Sequence, residues 1–130
     1  MARKPRTARD CPELPFLAFA WQEVLAAEQA RLSGTGAWRI SLWFQRQPTL
    51  ACIVRTGECR AEIRMHTLLN HPQTPRRVVH VVIGHELLHL LYPPREIEER
   101  RVSHTPEFRA AERQHYPDAD TAHAWIHLAL

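Results

Sequence analysis

Apolar positions first recur at helical spacing. Leu17, Trp21, Val24, Leu25 and Leu32 form the stripe of an amphipathic helix over Pro15 to Leu32, with a proline tolerated in the first turn and Gly34 placed to end it. The period then changes. Trp38, Ile40, Leu42 and Phe44 alternate with Arg39, Ser41 and Trp43, as in a strand with one buried face. Leu50 to Arg55 and Glu58 to His66 read as two further strands joined by a Thr56-Gly57 hairpin turn. In that register Leu50, Cys52, Val54, Cys59, Ala61, Ile63 and Met65 share the core face, so both cysteines are expected as small core residues. Arg55, Glu58, Arg60, Glu62, Arg64 and His66 share the other face.

Beyond the turn at Asn70 to Pro75, Thr74 is a natural N-cap and Pro75 a natural first helical residue. The helix that follows passes through the β-branched run Val78 to Ile83 and stops at Pro93-Pro94. A charged connection from Arg95 to Ser103 leads to a helix from Pro106 to His115. Tyr116-Pro117-Asp118 breaks it, and Asp120 to Leu128 forms a short terminal helix. The expected fold class is α+β: an N-terminal helix, a three-stranded mainly antiparallel sheet, two helices and a short terminal one, in a single domain over 13–130. Residues 1–12, charged and interrupted by proline, read as a basic flexible tail.

Composition narrows the class without naming a function. The 130 residues suit one domain, and 45% apolar with 24% charged excludes a disordered or low-complexity chain. No run approaches the roughly 20 apolar residues of a membrane span. Cys11, Cys52 and Cys59 lack metal-type pair spacing, so free thiols and a cytoplasmic location are expected. The net charge of +3 is uneven: +4 over residues 1–9, −4 over 10–30, +6 over 31–77 and −3 over 78–130. Contact with DNA, if any, is therefore expected through the tail or the sheet.

The candidate chemistry lies in His85-Glu86-Leu87-Leu88-His89, the pattern H-E-x-x-H. On a helix, residues i and i+4 share a face about 6 Å apart along the axis, so His85 and His89 can converge on one metal ion. Glu86 lies beside them, free to take a proton from an activated water. Zinc suits two imidazoles plus a third protein ligand, and His104 is the main candidate for that third position. Glu96, Glu98, Glu99, Glu107 and Glu112 are alternatives. Tyr92, Arg109, His115 and Tyr116 are candidates for oxyanion stabilisation. His66, His71, His80, His123 and His127 read as ordinary polar or half-buried histidines.

His85-Glu86-Leu87-Leu88-His89-Leu90 followed by His104-Thr105-Pro106-Glu107-Phe108 resembles the SprT-like and YgjP-like zinc metallopeptidases. Thr105 stands where DNA-repair members of that family commonly carry Gly. The resemblance implies a minimal zincin-like fold, Zn2+ held by His85, His89 and His104, Glu86 as catalytic general base, and a protein or peptide substrate. Two other functions compete with this one. A zinc-binding interaction module acting on DNA-protein complexes would use the +6 segment against phosphate. A metal-dependent endoribonuclease would have Gly where Glu86 stands.

Overall fold

A computed structural model describes residues 6–7, 15–71 and 73–129. In chain order these form β1 (Arg6–Thr7), α1 (Pro15–Arg31), β2 (Arg39–Gln45), β3 (Ala51–Gly57) and β4 (Arg60–His66). Then come α2 (Arg76–Leu91), β5 (Arg95–Ile97), β6 (Arg100–Val102), α3 (Pro106–His115) and α4 (Ala119–Ala129). The α+β class and the order of helices follow the sequence pattern. Most of the tail read over 1–12 lies outside the described residues; within it, Arg6 and Thr7 pair with Phe44 and Trp43.

The sheet is mixed rather than mainly antiparallel. Its order is β1-β2-β4-β3, with β4 parallel to β2 and antiparallel to β3. Putting β4 in the centre sets Ile40, Leu42 and Phe44 beside Ala61, Ile63 and Met65. Of these six residues all but Ile40 are buried, so the two apolar rows merge into one floor under the helices. Trp21 meets Phe44 edge to face with ring centroids 5.6 Å apart, joining α1 to that floor. Gln47 donates from its side chain to the Arg64 carbonyl at 3.0 Å, tying the β2–β3 connection to the central strand.

The hairpin register differs from the expected one. The turn falls at Glu58-Cys59, with Cys59 at φ 52°, and a bulge lies between Arg55 and Gly57. Ile53 therefore faces Ile63 and Ala51 faces Met65, while Cys52 and Val54 lie opposite Arg64 and Glu62. A side-chain period of two means that this displacement turns all of β3 over. Cys52 is consequently half-buried and Cys59 exposed, neither a core residue. Arg55 moves to the Ala61 side, where its guanidinium lies 5.0 Å from the Trp38 ring.

Two more local readings change. Thr74 does not cap α2: its hydroxyl donates to the Leu69 carbonyl at 2.9 Å, and Pro75 is the residue before the helix. The charged connection after α2 is a hairpin, β5 against β6, with Glu98 and Glu99 at its turn in left-handed backbone at φ 51° and 63°. Among the described residues no helix is long and apolar enough to cross a membrane.

α2 is the axis of the molecule. Val78, Val79, Val81, Val82, Ile83, Leu87, Leu88 and Leu90 are all buried, so the β-branched run serves as a core helix, not a strand. Gly84 lets Tyr116 approach: a Cβ there would lie 1.8 Å from the Tyr116 hydroxyl. That hydroxyl donates to Glu28 at 2.5 Å, and Arg31 closes a two-pronged ion pair on the same carboxylate at 2.9 and 3.2 Å. Burial works to raise the Glu28 carboxyl, but hydrogen bonds from Arg31 and Tyr116 outweigh it and hold the group below its ordinary value. Arg77 continues the network to Asp118 at 2.5 Å. Helices α1 and α2 and the α3–α4 corner are thus joined on the back of α2.

Candidate metal centre

His85 and His89 stand one turn apart on the opposite side of α2, facing the cleft. His104 reaches them from just before α3, where Thr105 is the N-cap and accepts from the Phe108 amide at 3.2 Å. The β-branched, hydrogen-bonding Thr105 therefore has a structural task next to His104. The three imidazole rings sit with centroids 5.0 to 5.1 Å apart, and the Nε2 atoms of His85 and His104 are 3.2 Å from each other. One nitrogen from each of the three residues lies within 4.8 Å of the others, a group that could hold a metal ion. Phe108, buried beneath, stacks on His89 at 4.4 Å and sets the floor of the cluster.

The protonation states suit a cation. Burial, helped by His85 and His104 beside it, pushes His89 down to about 4, so its imidazole is neutral at pH 7 with a lone pair available. His104 is shifted down too, again chiefly by burial. Glu86, 4% exposed, has one carboxylate oxygen buried with no hydrogen-bond partner in the protein. Burial pushes this carboxyl up to about 7, against the opposing effect of His85. An unpartnered buried oxygen beside three converging imidazoles fits a site that could hold an ion better than a site built for packing.

Sequence reasoning missed what lies behind His85. Its Nδ1 pairs with the Glu112 carboxylate, and His123 lies 4.0 Å from the same oxygen. Burial works to raise the Glu112 carboxyl, but the His123 and His85 imidazoles beside it prevail and hold it well below the usual carboxylate range. An ionised carboxylate only accepts, so His85 donates from Nδ1 and turns Nε2 toward the cluster. His85, Glu112 and His123 also form a second group whose donor atoms lie within 4.8 Å. His123 is thus not an ordinary half-buried histidine. The signal was weak: Glu112 is four residues after Phe108 on α3, and only the packing of α3 and α4 against α2 aims it at His85.

The other candidates fall elsewhere. Glu107 is exposed and bonded to Arg95 at 2.8 Å, and Glu96, Glu98 and Glu99 lie on the exposed hairpin. None of Tyr92, Arg109, His115 and Tyr116 lines the cleft; Tyr116 is buried on the back of α2. The cleft itself, about 470 Å³, runs between β3 on one side and the Pro93-Pro94 corner and β6 on the other. β3 is the last strand of its sheet, so its outer edge has no strand partner among the described residues. The +6 segment is partly neutralised where it lies: Arg31, Arg64, Arg76 and Arg77 each pair with a carboxylate.

Comparison with protein-family models and with curated proteins gives no match.

Proposed function

We propose that this chain is a zinc-dependent metallopeptidase of the SprT-like kind, with His85, His89 and His104 as metal ligands and Glu86 as general base. The observation that carries the reading is the buried, unpartnered oxygen of Glu86 beside the three imidazoles, lining an open cleft. A bound zinc ion supplies Lewis acidity, polarising a carbonyl and acidifying water. Glu86 takes a proton from the water that attacks the amide carbon and returns it to the leaving nitrogen, a task suited to a carboxyl poised near 7. The unpaired edge of β3 offers main-chain donors and acceptors to an extended substrate beside the cleft. The Glu112 carboxylate keeps His85 in the tautomer that presents Nε2.

The reading is tested with metal content and cleavage of an unfolded protein. Glu86→Gln is expected to keep one zinc per chain and lose hydrolysis by on the order of 10³-fold, whereas His89→Ala loses both zinc and hydrolysis. Full turnover in the Glu86 variant removes its assigned role. Absence of stoichiometric metal in the wild-type chain removes the reading altogether.

A further inference from the structure

The walls of the cleft carry charge that the proton-transfer step does not use. Arg55, at the end of β3, and Arg101, on β6, line it from its two sides. Of the residues lining the cleft, Glu86 alone is acidic, and it is buried. Neither arginine has a carboxylate within 4.0 Å among the described residues. Glu96 stands across the hairpin from Arg101 in the strand register without forming an ion pair with it. Arg31, Arg64, Arg76, Arg77 and Arg95 are each paired, whereas Arg39, Arg46, Arg60, Arg100, Arg109 and Arg113 share the lack of an ion pair among the described residues with Arg55 and Arg101 but do not line the cleft. Arg55 is also held in place, its guanidinium over the Trp38 ring at 5.0 Å. Ala51, Ile53, Leu90, Pro93 and Pro94 make the rest of the walls largely apolar. Both guanidinium groups are exposed at the mouth of the cleft, free to meet a ligand entering it.

We infer that the cleft selects extended polypeptide segments with acidic side chains next to the bond that is cut, Arg55 and Arg101 being the specificity-determining residues. An extended chain seated on the β3 edge presents alternate side chains about 6.6 Å apart on each face. A carboxylate on either face meets one of the two guanidinium groups, whose planar donor fork matches it. A lysine or arginine in the same place meets like charge, with only the buried Glu86 among the lining residues to relieve it. The free strand edge favours a peptide over a nucleic acid, since ladder bonding needs amide groups.

The inference rests on the peptidase reading for its class of ligand, and a binding measurement separates the two. Zinc-loaded Glu86→Gln is titrated into fluorescein-labelled extended peptides differing only in bearing Asp and Glu, Asn and Gln, or Lys at the central positions, with anisotropy as readout. The acidic peptide is expected to bind about tenfold tighter than its amide counterpart and tighter still than the lysine form. Adding Arg55→Gln and Arg101→Gln together is expected to abolish that difference while leaving the zinc content unchanged. Charge reversal by Arg55→Glu with Arg101→Glu is expected to turn the preference toward the lysine peptide, which shows that the variant is folded and binding. Equal affinity for acidic and amide peptides overturns the inference. Tighter binding of oligothymidylate than of the acidic peptide, lost in the double glutamine variant, overturns it in favour of a phosphodiester ligand. An acidic preference in a chain that cleaves no polypeptide leaves the selectivity standing and removes the peptidase reading.

Discussion

The two sides of α2 are built on opposite rules. On the back, Glu28, Tyr116 and Arg31 satisfy one another within 2.5 to 3.2 Å, and Tyr116 sits directly over Gly84. On the front, one residue further along the same helix, His85 begins a cluster in which imidazoles crowd together and a buried Glu86 oxygen goes without a partner. A buried polar group left unpaired costs about 1 to 3 kcal/mol, whereas a paired one can contribute about 1 kcal/mol. The helix therefore gains stability on one face and gives some up on the other. The difference separates residues whose polar groups satisfy one another from residues whose polar groups are left open, even where they are neighbours in sequence.

The largest expected effect lies on the back. Gly84→Ala places a methyl group inside the Tyr116 ring and should cost about 3 kcal/mol or more, read as a fall in the urea midpoint. Combining it with Tyr116→Ala should recover part of the packing loss at Gly84, because the clash is with that ring; two fully additive losses would show that the clash lies elsewhere.

A smaller effect is expected on the front, and in a different observable. Glu112→Gln keeps the shape but removes the ionised acceptor of His85 Nδ1, and should weaken zinc binding 10–100-fold. Because His85 and His123 hold the Glu112 carboxylate ionised in the folded chain, the metal-free variant should also lose stability at pH 7, by about 2 kcal/mol and less than Gly84→Ala. A stability loss as large as that of Gly84→Ala, with zinc affinity unchanged, would place Glu112 among the folding residues.

The smallest effect concerns acid. Glu28 is held below its ordinary value of 4.5 in the folded chain, so the stability it supplies is present above that value and is lost as pH falls through the lower folded value. Chemical unfolding followed from pH 6 down to pH 3 should show the wild type losing more stability than Glu28→Gln, by about 1 kcal/mol. Parallel curves would mean that the Glu28 pairing adds nothing beyond geometry.

The helices and the facing His85–His89 pair were legible because their signals are local. Helical spacing, Pro106 near a cap and the i, i+4 pair of His85 and His89 each depend on residues within a few positions of one another. The sheet was less legible for a physical reason. Thr56-Gly57 is the better turn by composition, yet the chain turns at Glu58-Cys59 and places a non-glycine residue at positive φ. The register sets half-buried Ile53 beside buried Ile63, and that pairing is a property of the assembled layers, not of the turn. The same holds for β5 and β6, whose turn is Glu98-Glu99 with no Gly or Asn to announce it. Parallel pairing of β2 with β4 and the approach of Glu112 to His85 depend on tertiary contact alone.

The β5–β6 hairpin has a consequence for how an ion is captured. Fourteen residues separate His89 from His104, a tether that as free coil would leave the third imidazole at low effective concentration near the other two. Folding six of those residues into paired strands, and bonding Arg95 to Glu107 across the base, removes most of that freedom before any ion arrives. The three histidines, a group that could hold a metal ion, are thus brought together by the fold itself, through a piece of backbone that lies outside the group.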